Sequence, residues 1–151
     1  MKDSNNELQL ITFKLGENVY AVNVKHVNEV ISLKKLVRVP RMPAHIEGIM
    51  NLRGKIVTLI NLASFLGVAY DAASNNKRKV LIFSLSNHKD VGFIVDNVLG
   101  VLRIKSSDIE KLMPASDSVI EGVIKTNDGQ IYIVLNFPQL IHELNLSNEE
   151  G

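Results

Sequence analysis

One pattern, written twice about half a chain apart, constrains this sequence more than any other feature. Glu47-Gly48-Ile49-Met50 corresponds to Glu121-Gly122-Val123-Ile124. After a turn containing glycine, Ile56-Val57-Thr58-Leu59-Ile60-Asn61-Leu62 corresponds to Ile131-Tyr132-Ile133-Val134-Leu135-Asn136-Phe137. Each copy reads as a β-hairpin whose second strand ends at an Asn able to cap a short apolar helix. Hairpins converge on such patterns easily, so two unrelated hairpins are the alternative to a repeat. A true repeat gives two halves of about 70 residues, too small to bury much surface alone. The expectation is then two similar small β-barrels or half-open barrels packed together, with a groove between them of the kind that favours binding.

The rest of the chain reads as short strands. Ile11, Phe13 and Leu15 alternate with Thr12 and Lys14, the period of a half-buried strand. Gly16-Glu17-Asn18 is a turn, and Val19–Val22 its hairpin partner. Val24–Ile31 combines helical spacing with β-branched residues, which predicts a short helical turn passing into a strand. Pro40 and Pro43 punctuate a loop before strands over 46–52 and 55–60 around Arg53-Gly54. Asn61 caps a helix over 62–66, ended by Gly67. Further strands are expected over 80–85, 91–95, 98–104, 119–125 and 130–135, with turns at 87–90 and at Asn127-Asp128-Gly129. Ser107 and Glu110 have capping-box spacing, and Phe137–Leu144 reads as a terminal helix. The polar stretch DAASNNKRK, 71–79, is the linker candidate. It divides a single domain, 8–144, into approximate subdomains 8–70 and 79–144, joined by 71–78.

Several function classes lose support. The 17 basic and 16 acidic side chains balance, so nothing draws the whole molecule to nucleic acid or an anionic membrane. Cysteine is absent, which excludes disulfides and thiolate chemistry. No apolar run approaches the ~18 residues of a membrane span. The N-terminal residues are polar and lack the apolar core of a secretory signal, so a cytoplasmic location is expected and the sequon Asn145-Leu146-Ser147 is read as chance.

Gly54-Lys55 suggests a phosphate loop, but Ile49 and Ile56 stand where that motif needs Gly and Ser or Thr. His26, His45, His88 and His142 are widely spaced and read as surface or loop residues rather than metal ligands. Asp90 and Asp96 are an acidic pairing of the sort any β-protein offers. No nucleophile elbow is present. No catalytic residue, metal site or cofactor is expected. The basic groups Lys34-Lys35, Arg38, Arg41 and 77–79 lie in predicted loops without interleaved aromatics, which disfavours a single-strand nucleic-acid platform. Val24, Val27 and Val30 add apolar surface that is either core or a partner site.

Gly48-Ile49-Met50-Asn51-Leu52-Arg53-Gly54-Lys55-Ile56 resembles the most recognisable segment of the CheW family, Gly-x-x-Asn-Leu-Arg-Gly-x-Ile. The resemblance continues through Asn61-Leu62 and Leu66-Gly67, and resumes at Val91–Asp96 and Val98–Val101. Phe13 and the segment 22–30 also fit, so it spans about 8–144 in one order. It implies an all-β protein with short helices, built as two SH3-like five-stranded β-barrel subdomains packed together. It implies a non-enzymatic chemotaxis adaptor that couples transmembrane chemoreceptors to the CheA histidine kinase at the inner face of the membrane. The partners would be the kinase's regulatory domain and the receptor's cytoplasmic helical hairpin. Carried over by position, Val27, Val30, Arg53 and Val98 would form the receptor-binding groove. The kinase-binding surface stays unassigned, at an edge of the first or second barrel.

Thr58 and Asn61 depart from the family, which often has Pro and Asp there. Asn caps as well as Asp, and Thr suits a strand. They leave room for a paralogue serving another receptor–kinase pathway. A small nucleic-acid-binding β-barrel is the alternative from another class. A kinase fragment or receiver-linked adaptor is the alternative within the family, disfavoured because no phosphorylatable histidine domain, ATP-binding segment or phospho-acceptor domain is recognised.

Overall fold

The structure, a computed structural model, describes residues 6–69, 78–85, 89–112 and 118–144. Strand β1 (Glu7–Leu15) is followed by β2 (Asn18–Asn23), and a 3-10 turn over Val24–His26 leads to β3 (Glu29–Ser32). Then come β4 (Ile46–Leu52), β5 (Lys55–Asn61) and helix α1 (Leu62–Leu66). Strands β6 (Lys79–Ser84), β7 (Asp90–Val95) and β8 (Asn97–Lys105) follow, then a 3-10 turn over Ser106–Asp108. Strands β9 (Ile120–Lys125) and β10 (Ile131–Leu135) and helix α2 (Phe137–Leu144) complete the order. The expected helical turn passing into a strand at 24–31 is present. The predicted turn at 87–90 and the linker at 71–78 lie largely outside the described residues.

Local chemistry explains the element ends. The Asn61 side-chain oxygen accepts from the Ser64 N–H at 2.9 Å, and Gly67 closes α1 in the left-handed region at φ 78°. Asn136 does the same for α2, accepting from the Gln139 N–H at 3.2 Å. Asn127-Asp128-Gly129 turns β9 into β10: the Asp128 carboxylate accepts from the Thr126 hydroxyl and from the Gln130 N–H, bonds that hold it below the usual carboxylate range. At Ser107 the outcome differs from the sequence expectation. It is the Asp108 carboxylate that accepts from the Lys105 N–H at 2.8 Å, while Glu110 leaves the turn to pair with Val123. That strand pairing outweighed the capping-box spacing.

The strands form two five-stranded sheets, β8-β1-β2-β10-β9 and β3-β6-β7-β5-β4. The two orders are the same arrangement. Each contains a parallel pair, β2 with β10 and β5 with β7. In each, the chain beyond an end strand returns to the opposite one: Val37, after β3, bridges Ile49 of β4, and Glu110, after β8, bridges Val123 of β9. This curls each sheet towards a barrel, but the hydrogen bonding is that of a five-stranded sheet with a single bridge, not a closed ring. The bridges also explain the paired glycines of the repeat. A Cβ on Gly48 would lie 2.4 Å from the Val37 carbonyl oxygen, and one on Gly122 would lie 2.5 Å from that of Glu110. Only glycine admits so close a backbone.

The chain does not divide as 8–70 and 79–144. One compact unit takes residues up to Phe13, Asn18–His26 and those from Leu99 onward, and the other takes Lys14–Glu17 and Val27–Val98. In the first sheet β1 and β2 hold the places that β6 and β7 hold in the second. The second repeat is thus a circular permutation of the first, with its final two strands moved to the start of the chain. The parallel pairing of β10 with β2 makes this possible, and strand periodicity carries no information about it.

Each unit has its own core. Leu10, Ala21, Ile104, Ile124 and Val134 cluster in the first, and Met50, Val57, Leu59, Val80, Ile82 and Ile94 in the second. Strand β1 was expected to be half-buried, yet Leu10, Ile11, Thr12 and Phe13 are all buried. The Thr12 hydroxyl is accommodated by donating to the Gly100 carbonyl at 3.2 Å.

Candidate functional site

The β4–β5 hairpin turns through two residues, Arg53 and Gly54, with Leu52 paired to Lys55. Both have positive φ, 51° and 87°. That is the type I′ geometry of tight hairpins, which normally selects Asn-Gly. Asn51 supports the turn, its side-chain oxygen accepting from the Gly54 N–H at 2.8 Å. An arginine in the left-handed region is strained, at a cost of order 1 kcal/mol or more.

The Arg53 guanidinium crosses to Glu29 on β3 and pairs with its carboxylate. Strand β3 and the β4–β5 hairpin lie at opposite ends of the strand order, so this contact joins the two edges of the curled sheet. The Arg53 side chain stays 69% exposed and that of Glu29 33% exposed. Beside Glu29, Val30 is 38% exposed on the outer face of β3. Ile56, next to the hairpin tip, is 60% exposed.

Further polar groups continue this line. Strand alternation puts Glu29 on the face of Ile31, Ser84 on that of Ile82, Asp90 on that of Ile94 and Lys55 on that of Val57. Those four apolar residues form or pack against the core of the second unit. The polar groups therefore stand one pleat beyond it and rim its end. Lys55 Nζ is 3.1 Å from Asp90 Oδ2. The Ser84 hydroxyl donates to Asp90 Oδ1 at 2.8 Å and accepts from Asn28 Nδ2 at 2.7 Å. The Ser84 hydroxyl first, and Lys55 next, hold the Asp90 carboxyl below the usual range. Through adjacent Asn28 and Glu29 and the hairpin tip, Arg53, Glu29, Asn28, Ser84, Asp90 and Lys55 make a closed belt.

Of the residues carried over by resemblance, Arg53 reaches β3 through Glu29, and Val30 is the next residue of that strand, on its opposite, outer face. Val27 is half-buried just before β3, and Val98 is half-buried at the second position of β8, in the other sheet. The structure pairs Arg53 with the chain's own Glu29. Glu29, Asn28 and Ser84 escaped sequence reading, and Asp90 was read only as part of a chance acidic pairing with Asp96. Alternation could have placed Glu29 inward with Ile31, but which strands face one another was not legible.

The first unit carries a separate cleft of about 780 Å³, lined by Leu10, Lys25, His26, Leu112 and Phe137 among others. His26 was expected to be a surface or loop residue. It lies in the 3-10 turn after β2, half-buried, with its ring stacked on Phe137 at 4.5 Å and 11° between planes. Burial, and then Lys25, push the imidazole pKa below its ordinary value. Among the described residues no group of three His, Asp or Glu side chains is placed to hold a metal. None of the described helices is long and apolar enough to cross a membrane.

Two curled five-stranded sheets related by a repeat, with a braced edge strand and exposed apolar residues, make a β-scaffold suited to protein partners. Comparison with known proteins supports that class. The chain matches the CheW-like domain over residues 9–145. Chemotaxis protein CheW of Thermotoga maritima is 34% identical over 147 residues, covering 95% of this chain and 94% of that one. Chemotaxis protein CheV3 of Helicobacter pylori is 28% identical over 95% of this chain, which spans 50% of CheV3. The solved structure of the scaffolding protein TtCheW from Thermoanaerobacter tengcongensis superposes with a TM-score of 0.75 at 30% identity, over 85% of this chain and 84% of that one. This chain belongs to the CheW family, a family of chemotaxis adaptors and scaffolds.

Proposed function

We propose that the chain is a non-enzymatic cytoplasmic adaptor that couples the cytoplasmic hairpin of chemoreceptors to the regulatory domain of a CheA-type histidine kinase. The observation that carries the receptor half of this reading is Arg53. It occupies a strained tip position that Asn would fill more comfortably, and it is held by Glu29 beside exposed Val30. Strain kept at an exposed polar residue points to a role in binding rather than folding. Val27, Val30 and Val98 supply apolar contacts for one face of a receptor helix, and burying a Val side chain can contribute ~1.5 kcal/mol or more. Arg53 supplies a cation for a carboxylate on that helix.

Calorimetric titration against the kinase regulatory domain and against a chemoreceptor hairpin tests the proposal. Saturable 1:1 binding to both supports it. Binding to neither by folded protein refutes it and points to a paralogue with other partners. Val27→Asp maps the surface. Weaker hairpin binding with an unchanged circular dichroism spectrum places Val27 in the site, whereas unfolding places it in the core.

A further inference from the structure

We infer that Ser84 and Asp90 are positioning residues for the receptor-binding surface, acting through Asn28 and Glu29 without touching the partner. The inference rests on the receptor reading above. Strand β3 is only four residues long and lies at the end of its sheet, with β6 as its ladder partner. Short end strands fray. The first residues of β3 are held by the Asn28 N–H donating to the Ile82 carbonyl at 2.7 Å, and by two side-chain ties. One tie is Glu29 to Arg53. The other is Asn28 to Ser84, with Ser84 fixed by Asp90 and Asp90 by Lys55.

The geometry is specific to a hydroxyl at position 84. Its single proton goes to Asp90, leaving its lone pairs to accept from Asn28, so one side chain sets the orientation of both neighbours. Asn28 lies between Val27 and Val30 in sequence, and its neighbour Glu29 holds the Arg53 tip. The ties therefore converge on the segment that carries two of the four receptor-surface residues, Val27 and Val30, and that holds a third, Arg53, through Glu29. Asn28, Ser84 and Lys55 lie at the exposed rim, where polar pairs add little stability, whereas the Asp90 side chain is only 12% exposed. Their effect falls on the placement of the edge, and a helix docking on displaced side chains loses contacts without any loss of folding.

The experiment compares wild type, Ser84→Ala, Ser84→Thr and Asp90→Ala by titration against a chemoreceptor hairpin and the kinase regulatory domain, with urea unfolding of each protein. The expected result is hairpin binding weakened about 3- to 10-fold in Ser84→Ala and Asp90→Ala. Kinase-domain binding should stay at the wild-type value in both, the unfolding midpoint should stay at the wild-type value in Ser84→Ala, and Ser84→Thr, which keeps the hydroxyl, should restore hairpin affinity. Wild-type hairpin affinity in Ser84→Ala overturns the inference and leaves the receptor reading standing. So does a parallel loss of both affinities and of the unfolding midpoint, which would make the belt a general stabiliser. A wild-type protein that does not bind the hairpin removes the receptor reading, and the inference with it.

Discussion

Arg53 holds a backbone conformation that an isolated chain would seldom choose, and His26 a ring that the fold makes harder to charge. For Arg53 the left-handed backbone costs at least as much as its exposed pair with Glu29 returns, since such pairs contribute ~0–1 kcal/mol. Arg53→Asn suits the type I′ turn and removes both terms. Urea unfolding should place it within about 1 kcal/mol of wild type, while titration shows hairpin affinity down by roughly tenfold, the equivalent of about 1.4 kcal/mol. For His26 the folded state resists protonation, because burial and Lys25 disfavour the charged ring. Its contribution to stability is complete above the ordinary histidine value near ~6.5 and declines as pH falls below it towards the folded value. His26→Phe keeps a ring against Phe137 and has nothing to titrate. Its unfolding midpoint should therefore drop less than that of wild type between pH 7.5 and 5.5.

At the level of elements, the repeated Glu-Gly pair has one meaning in both halves. It marks where the chain after an end strand crosses back onto a hairpin. Gly48→Ala and Gly122→Ala each push a methyl group against a backbone carbonyl that cannot swing aside as a side chain would. Each should cost about 1–3 kcal/mol in urea unfolding, the range of an overpacked site. Loss from one substitution but not the other would show that the two bridges are not equivalent. Much of this scale was legible beforehand. Caps at Asn61 and Asn136 and turns at Arg53-Gly54 and Asp128-Gly129 depend on residues close in sequence. The capping-box spacing at Ser107 misled because Glu110 was needed by Val123, a partner distant in sequence.

For the molecule as a whole, the interleaved units give a prediction that the apparent halves would not. A fragment of residues 79–151 contains β8, β9 and β10 but lacks β1 and β2, which stand between β8 and β10 in their sheet. Without them the Val134 side of β10 has no parallel partner, and Leu10 and Ala21 are missing from the core. Circular dichroism should show this fragment unfolded on its own, and gaining strand signal when residues 1–26 are supplied. A fragment that folds alone would contradict the unit boundaries.

The sequence by itself determined the all-β class, nearly every strand and both helices, because alternation, caps and tight turns are local and each leaves its mark within a few residues. It also carried the repeat and the family resemblance, and with them Arg53 and Val30. Only the tertiary structure decided that the second repeat is permuted, that Glu29 is the partner of Arg53, and that Asn28, Ser84, Asp90 and Lys55 join them in one belt. Those outcomes depend on which strands become neighbours. A period of two specifies which face a residue takes and nothing about the strand that lies beside it.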